Sequence, residues 1–288
     1  MFRKLLNFVA APLAIAGFGL LLLAESRRPL RKAASDKLQR MKTNIGIAGV
    51  TSIAINLLFI PVVSAVARFA QQRKLGLLNS TRLPEPVRFV AGLALFDYTF
   101  YWWHRWMHES SFLWRFHAAH HTDLELDVST SARFHFGEYV LSTPYRAAQV
   151  IVIGASPAAA AVFETIMMIA AEFHHSNVRL PVETERRLNS MIVTPRMHGI
   201  HHSIIEAESK SNFATVLSVW DMLHGTLKLN VPQDEIKIGL ASYRDEDELR
   251  FANLLALPFN RQRESWSLPD GSRPVRALLS EPEKKLVN

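Results

Sequence analysis

The chain has 288 residues, 49% of them hydrophobic, a mean hydropathy of +0.06 and no cysteine. Without cysteine there is no disulfide, thiolate-held zinc, iron–sulfur cluster or covalently attached haem, so any metal is left to His, Asp or Glu. The net charge of +7 does not mark a nucleic-acid binder: seven Lys/Arg crowd into residues 25–44 between two apolar stretches, as in a cytoplasmic loop beside anionic lipid headgroups.

From the N-terminus, Leu5–Ala24 runs 20 residues without a charge behind Arg3 and Lys4. It is too long for a signal-peptide core and no A-x-A cleavage pattern follows it, which predicts an uncleaved anchor. Ile45–Ala67 adds 23 uncharged residues, and each stretch is long enough to cross a hydrocarbon layer of about 30 Å. A third apolar segment, Phe89–Trp103, carries only Asp97 and leads straight into "HRWMH". A fourth, Ala147–Ala171, contains Glu164 and is broken at "GASPAAAA" by Gly154 and Pro157. From about Asn177 the chain reads as soluble, with charged residues and Pro and Gly turns, and it closes on a solvated "SEPEKKLVN". The expected fold is all-α, an integral-membrane helical bundle with a cytoplasmic histidine-rich helical cap. Its parts are spans and a basic loop over 1–88, a histidine-bearing domain over 89–228, and a soluble tail over 229–288.

The 12 histidines are grouped rather than scattered. On a helix, residues three and four apart share a face. In "DYTFYWWHRWMH", Asp97, Tyr101, His104 and His108 therefore line one stripe. "HAAHH" sets His120 and His121 beside His117, and "HGIHH" repeats the pattern with His198, His201 and His202. A lone buried histidine is usually a hydrogen-bonded core residue, which is the reading for His224 and leaves His135 open. Five histidines in 18 residues, with the triplet repeated 80 residues later, are a different case. Without a metal, packed imidazoles repel on protonation or leave buried N–H groups unpaired. Eight or nine neutral ligands exceed what one ion accepts, so the set predicts two metals. No H-E-x-x-H motif of a zinc hydrolase occurs, and imidazole-rich ligation favours iron, with zinc and manganese left open.

The chain resembles the fatty acid hydroxylase/sterol desaturase superfamily of integral-membrane di-iron oxygenases. The resemblance rests on "DYTFYWWHRWMH", "HAAHH", "SARFHFGE", "FHHSNVRLP", "TPRMHGIHHS" and "SNFATVLSVWDMLHGTL", in the family's order across about 97–227. It implies two Fe ions (replaceable by zinc in purified protein), O2 as oxidant, an external electron donor, and hydroxylation or desaturation of a lipid drawn from the bilayer. Carried over by position, the ligands are His104, His108, His117, His120, His121, His198, His201 and His202, with His175 the ninth and His174 the weaker choice beside it. Asp97, His135, Glu138, His174, Asn177 and Asp221 are candidates for orienting the ligands, and Asn212 also stands at a family-typical position. Phe136 stands where the family usually has Pro. The rival readings are a haem-binding bundle, which calls for His pairs in mid-span, and a metal-binding membrane protein without catalysis.

Ligands at 104–121 and 198–202 can share a centre only on one side of a membrane. The chain between them must therefore cross an even number of times, or not at all. This predicts that about 139–154 and 157–172 form a hairpin that enters the bilayer and returns, with the histidines in the cytoplasm and residues 68–88 outside.

Overall fold

The computed structural model describes residues 11–32 and 36–276, and among these the chain is all-helical, with isolated β-bridges but no strand. Arg3, Lys4, the first six residues of the Leu5–Ala24 stretch and the closing "SEPEKKLVN" lie outside the described residues.

Helix α1 spans Ala11–Arg27. Helix α2, Lys37–Ala54, starts where the Asp36 carboxylate accepts the amides of Leu38 and Gln39, satisfying two of the donors a helix start leaves unpaired. It runs through a π-helical turn, Ile55–Phe59, into α3, Ile60–Gln72. Pro61 offers no amide hydrogen to the helical ladder, and the widened turn just before it absorbs that gap. Lys37–Ser80 is, among the described residues, the one helical stretch long and apolar enough to cross a membrane, with a mean hydropathy of 2.2. The Phe89–Trp103 segment lies within α4, Glu85–Glu109, whose ends are charged. Helix α5, Ser111–His121, follows directly.

Helices α6, Phe136–Ile153, and α7, Pro157–His175, form a hairpin about Gly154. Gly154 adopts φ +72°, the left-handed conformation that ends many helices, and the Ser156 hydroxyl and Pro157 begin α7. The tip is held from outside: Asn79 Nδ2 donates to the carbonyls of Leu75 and Gly154 at 2.7 and 3.0 Å. Gly76, at φ +94°, lies so close that a Cβ there would meet Gly154 N and Ile151 O at 2.3 Å. Phe59, Val63, Phe96, Ile153 and Phe163 fill the space between the hairpin and its neighbours. Ile15, Leu20, Ile53, Leu57, Val90 and Val152 stand exposed on the outside.

At the opposite end the charged start of α2 is bound to the loop after α5. Arg40 pairs with Asp123 at 2.7 Å and Asp127 at 3.0 Å. Buried Arg133 donates to Asn44 Oδ1 at 2.8 Å and to the carbonyl of Ala119 at 3.0 Å. The remaining helices are short: α8 Val182–Leu188, α9 Pro195–His201, α10 Glu206–Ser209, α11 Val219–His224 and α12 Phe251–Ala256. Residues 229–276 wrap back over this end: Leu240, Tyr243, Leu249, Leu254, Leu257 and Trp266 join Ile47, Ala118 and Ala119 in one apolar core.

Candidate metal centre

His104 and His108 stand one turn apart on α4, on the buried face that also holds Asp97 and Tyr101. Ser110 then ends α4 and caps α5 by accepting the Leu113 amide at 3.4 Å. The corner this makes folds α5 back, so the rings of His104 and His117 come within 5.2 Å and those of His108 and His121 within 4.7 Å. The hairpin contributes at both ends: the first turn of α6 carries Glu138, which reaches His117, and α7 ends at His175, which reaches His120. Helix α9 adds His198 and His201, with His202 as its C-cap.

Among the described residues, two groups of nitrogen donors result, each with its donor atoms within 4.8 Å of one another. One is His104, His108, His117, His121 and His201; the other is His120, His175, His198 and His202. The structure thus brings together all nine histidines expected as ligands, every one buried. The groups abut, since the rings of His121 and His202 stack at 4.2 Å.

Backbone and carboxylate acceptors fix which nitrogen faces inward. Nδ1 of His104 donates to the Phe213 carbonyl at 2.7 Å, that of His201 to Ser211 at 2.8 Å and that of His175 to Ala171 at 2.7 Å. Nδ1 of His117 faces Glu138 Oε2 at 3.1 Å. With the hydrogen on Nδ1, the lone pair of each ring sits on Nε2. Asn212, between the two carbonyl acceptors of the loop, takes φ +54°, a conformation asparagine tolerates. Its side chain holds the loop through Met197 O, Lys228 O and Lys228 N.

The residues fit a pair of metal ions. Both nitrogens of His108 and His121, and Nε2 of His117 and His201, are buried with no hydrogen-bond partner, and each unsatisfied buried group costs about 1–3 kcal/mol. In the four-histidine group the Nε2 atoms of His120 and His175, His175 and His198, and His198 and His202 lie 3.0, 3.0 and 3.1 Å apart. Donors about 2.1 Å from one ion stand about 3.0 Å apart at right angles and about 3.4 Å apart at tetrahedral angles. The observed spacing is short enough for neighbouring donors to one ion. Burial holds His120, His121, His198 and His202 well below the ordinary imidazole value, with neighbouring imidazoles pushing the same way, and burial brings His201 to about 3. Near neutral pH these rings are uncharged and their lone pairs are free for a cation.

The other candidate residues divide by what they touch. Glu138 contacts a ligand histidine directly. Asp221 acts one step away: its carboxylate accepts the amides of Phe213 and Ala214 at 2.8 and 3.0 Å, holding the carbonyl that receives His104. His174 packs on His198 at 4.1 Å between ring centroids but belongs to neither group. Asp97, Asn177 and His135 touch no ligand histidine. Asp97 accepts Leu217 N and Trp220 Nε1, Asn177 brackets the backbone of Arg31, and His135 caps α6 through the Gly137 amide. His224 stacks on Tyr101 at 4.9 Å, away from the cluster. Sequence reasoning missed the carbonyls of Ala171, Ser211 and Phe213, which carry no side-chain signal. It also missed Glu25, whose buried carboxylate accepts the amides of Val128 and Asn177 at 3.0 Å and ties α1 to the cluster.

Residues 89–226 match the family model described as Fatty acid hydroxylase. The chain is similar to ornithine lipid hydroxylase OlsE of Rhizobium tropici, 29% identical over 198 residues that cover 69% of this chain and 57% of that protein. It is 26% identical over 187 residues to alkylglycerol monooxygenase of Danio rerio, covering 65% of this chain and 40% of the other. It is 28% identical over 178 residues to methylsterol monooxygenase 1-3 of Arabidopsis thaliana, covering 59% and 60%. In each case the match spans less than two thirds of the relative. No solved structure matches the chain.

Proposed function

We propose that this chain, a member of the fatty acid hydroxylase family through residues 89–226, is an O2-dependent oxidoreductase that hydroxylates or desaturates an unactivated C–H of a membrane lipid, sterol or fatty acyl chain. The observation that carries the reading is the pair of abutting buried groups of five and four histidines. Two irons fit that donor set, because imidazole-rich ligation with open positions suits iron. The relatives named above are, by name, a hydroxylase and two monooxygenases, two of them of lipids or sterols.

His104, His108, His117, His121 and His201 would hold one iron, and His120, His175, His198 and His202 the other. Bound there, the irons supply O2 activation and the oxidising power for the C–H bond. The chain's own residues orient and insulate. Glu138 and the carbonyls of Phe213, Ser211 and Ala171 keep the hydrogen on Nδ1 of their histidines, so that Nε2 points inward. Residues 229–276 close the cluster from the side away from the hairpin, which keeps water out. Two electrons per turnover come from an external donor, since the sequence offers neither cysteines for a cluster nor a G-x-G-x-x-G loop.

In this reading the Lys37–Ser80 stretch and the α6–α7 hairpin lie in the bilayer, with the histidines on the cytoplasmic side. The exposed apolar side chains of α1, α2, α4 and α6 face lipid, and the substrate reaches the centre from the membrane. The test is iron analysis of gently purified protein joined to mass spectrometry of lipid extracts from cells making the chain or its His120→Ala variant. We expect about two irons per chain and a lipid species with one added oxygen, or two fewer hydrogens, only with the unaltered chain. Iron-loaded protein in cells whose lipids do not change would leave the non-catalytic alternative in place.

A further inference from the structure

Among the described residues, Arg31 is a buried cation without an anion. It is 8% exposed, and its Nη1 donates to Gln233 Oε1 at 2.6 Å, while Nε and Nη2 have no partner. Among the described residues no carboxylate lies within ion-pair distance of it. The two acidic groups that act on it from farther away are engaged elsewhere: Glu25 with Lys37 and two backbone amides, Glu185 with Arg196 at 2.6 Å. Burial pushes the guanidinium down to about 10. An unpaired buried charge is among the most costly features a fold can keep.

The position of Arg31 is constrained on both sides. Asn177 accepts its amide at 2.9 Å and donates to its carbonyl at 2.8 Å. The guanidinium lies on Gly199 of α9, where a Cβ would stand 2.3 Å from Nη1, so glycine between His198 and His201 makes the room it occupies. Arg31 also lines an open cleft of about 630 Å³, a volume typical of small-molecule sites. The side chains of Lys32 and Lys237 stand exposed on its walls with no hydrogen bond or ion pair among the described residues, and Ser203 and Asn177, the neighbours of the cluster, form part of its lining. The acidic groups on the walls are partnered: Glu235 with Arg276, Glu125 with Arg40.

We propose that this cleft is an anion-binding subsite for a phosphate or carboxylate group, with Arg31 as its principal donor and Lys237 as a second. The paired Nε and Nη2 hydrogens of a guanidinium match two oxygens of either group. The cleft is larger than a bare anion and accommodates a head group with its connecting atoms. The inference does not depend on the oxidation chemistry, because binding can be read without turnover.

The experiment uses full-length, metal-loaded protein in an uncharged detergent, titrated calorimetrically with inorganic phosphate and with soluble dihexanoyl phosphatidate. Saturable binding is expected, weakened about tenfold or more in Arg31→Gln and about threefold in Lys237→Ala. Lys237 is exposed, so its variant keeps the test decisive where the buried substitution fails to fold. Phosphatidate binding tighter than inorganic phosphate assigns the subsite to an amphiphile head; equal affinities assign it to a free anion. No saturable binding, or binding unchanged in both variants, overturns the proposal.

Discussion

Glu138 accepts the Nδ1 hydrogen of His117 across 3.1 Å, from the first turn of α6 to the last turns of α5. Both groups are buried, and the contact is the one direct carboxylate–ligand pairing among the described residues. Replacing Glu138 by Gln keeps the shape and removes the charge that makes the imidazole a stronger donor to a metal. Metal affinity, measured by competition with a chelator, should fall about 10–100-fold with little loss of folded protein. An unchanged affinity would remove Glu138 from the site's support.

The two histidine groups should empty separately. His108→Ala takes a member from the five-histidine group and His198→Ala one from the four. Each variant should retain about one ion per chain where the unaltered protein holds about two, by elemental analysis. His224→Ala, altering a ring stacked on Tyr101 outside both groups, should retain both ions. Loss of all metal in each ligand variant would mean that the groups are one site.

Acid should weaken the metal-free protein. Burial holds His201 at about 3 in the folded state, against the ordinary 6.5, and lowers His202 in the same direction. Below pH 6.5 the unfolded chain takes up protons that the folded chain refuses, so the stability present above that pH declines towards about pH 3. Denaturant midpoints of metal-free protein should therefore drop between pH 7 and pH 5, and bound metal should be released over the same range as protons compete for the imidazoles. A flat profile would show that the rings are not held neutral.

Membrane placement can be read from single cysteines in this naturally cysteine-free chain. Lys74 is exposed beside the hairpin tip, and the Glu183 side chain is 73% exposed at the histidine end. A membrane-impermeant reagent should label Lys74→Cys in intact cells and Glu183→Cys only after permeabilisation. Equal labelling of the two would refute a hairpin lying within the bilayer.

Most of the centre was legible because side chains on a helix repeat at fixed steps. "HRWMH", "HAAHH" and "HGIHH" put their rings on one face before any tertiary contact is known, and the demand that they meet located the hairpin break at Gly154. What stayed hidden was set by the backbone and by distant packing. The acceptors of His104, His175 and His201 are carbonyls, available from any residue type. His135 looked equal to its neighbours but serves as the N-cap of α6, a role fixed by where that helix starts. Arg31 read as one more basic residue in a charged loop, since nothing local announces that α9 will bury it.

The wrap of residues 229–276 over the histidines imposes an order on biosynthesis. Gly239 donates to the His202 carbonyl at 2.9 Å, and Ser265 receives the indole hydrogen of Trp114 at 2.8 Å. A nascent chain emerging through its first 228 residues already carries all nine histidines, with that flank still open. A metal ion can enter during translation by a flank that the finished protein covers, so a cell short of that metal while making this chain would be left with molecules that are slow to load when it returns.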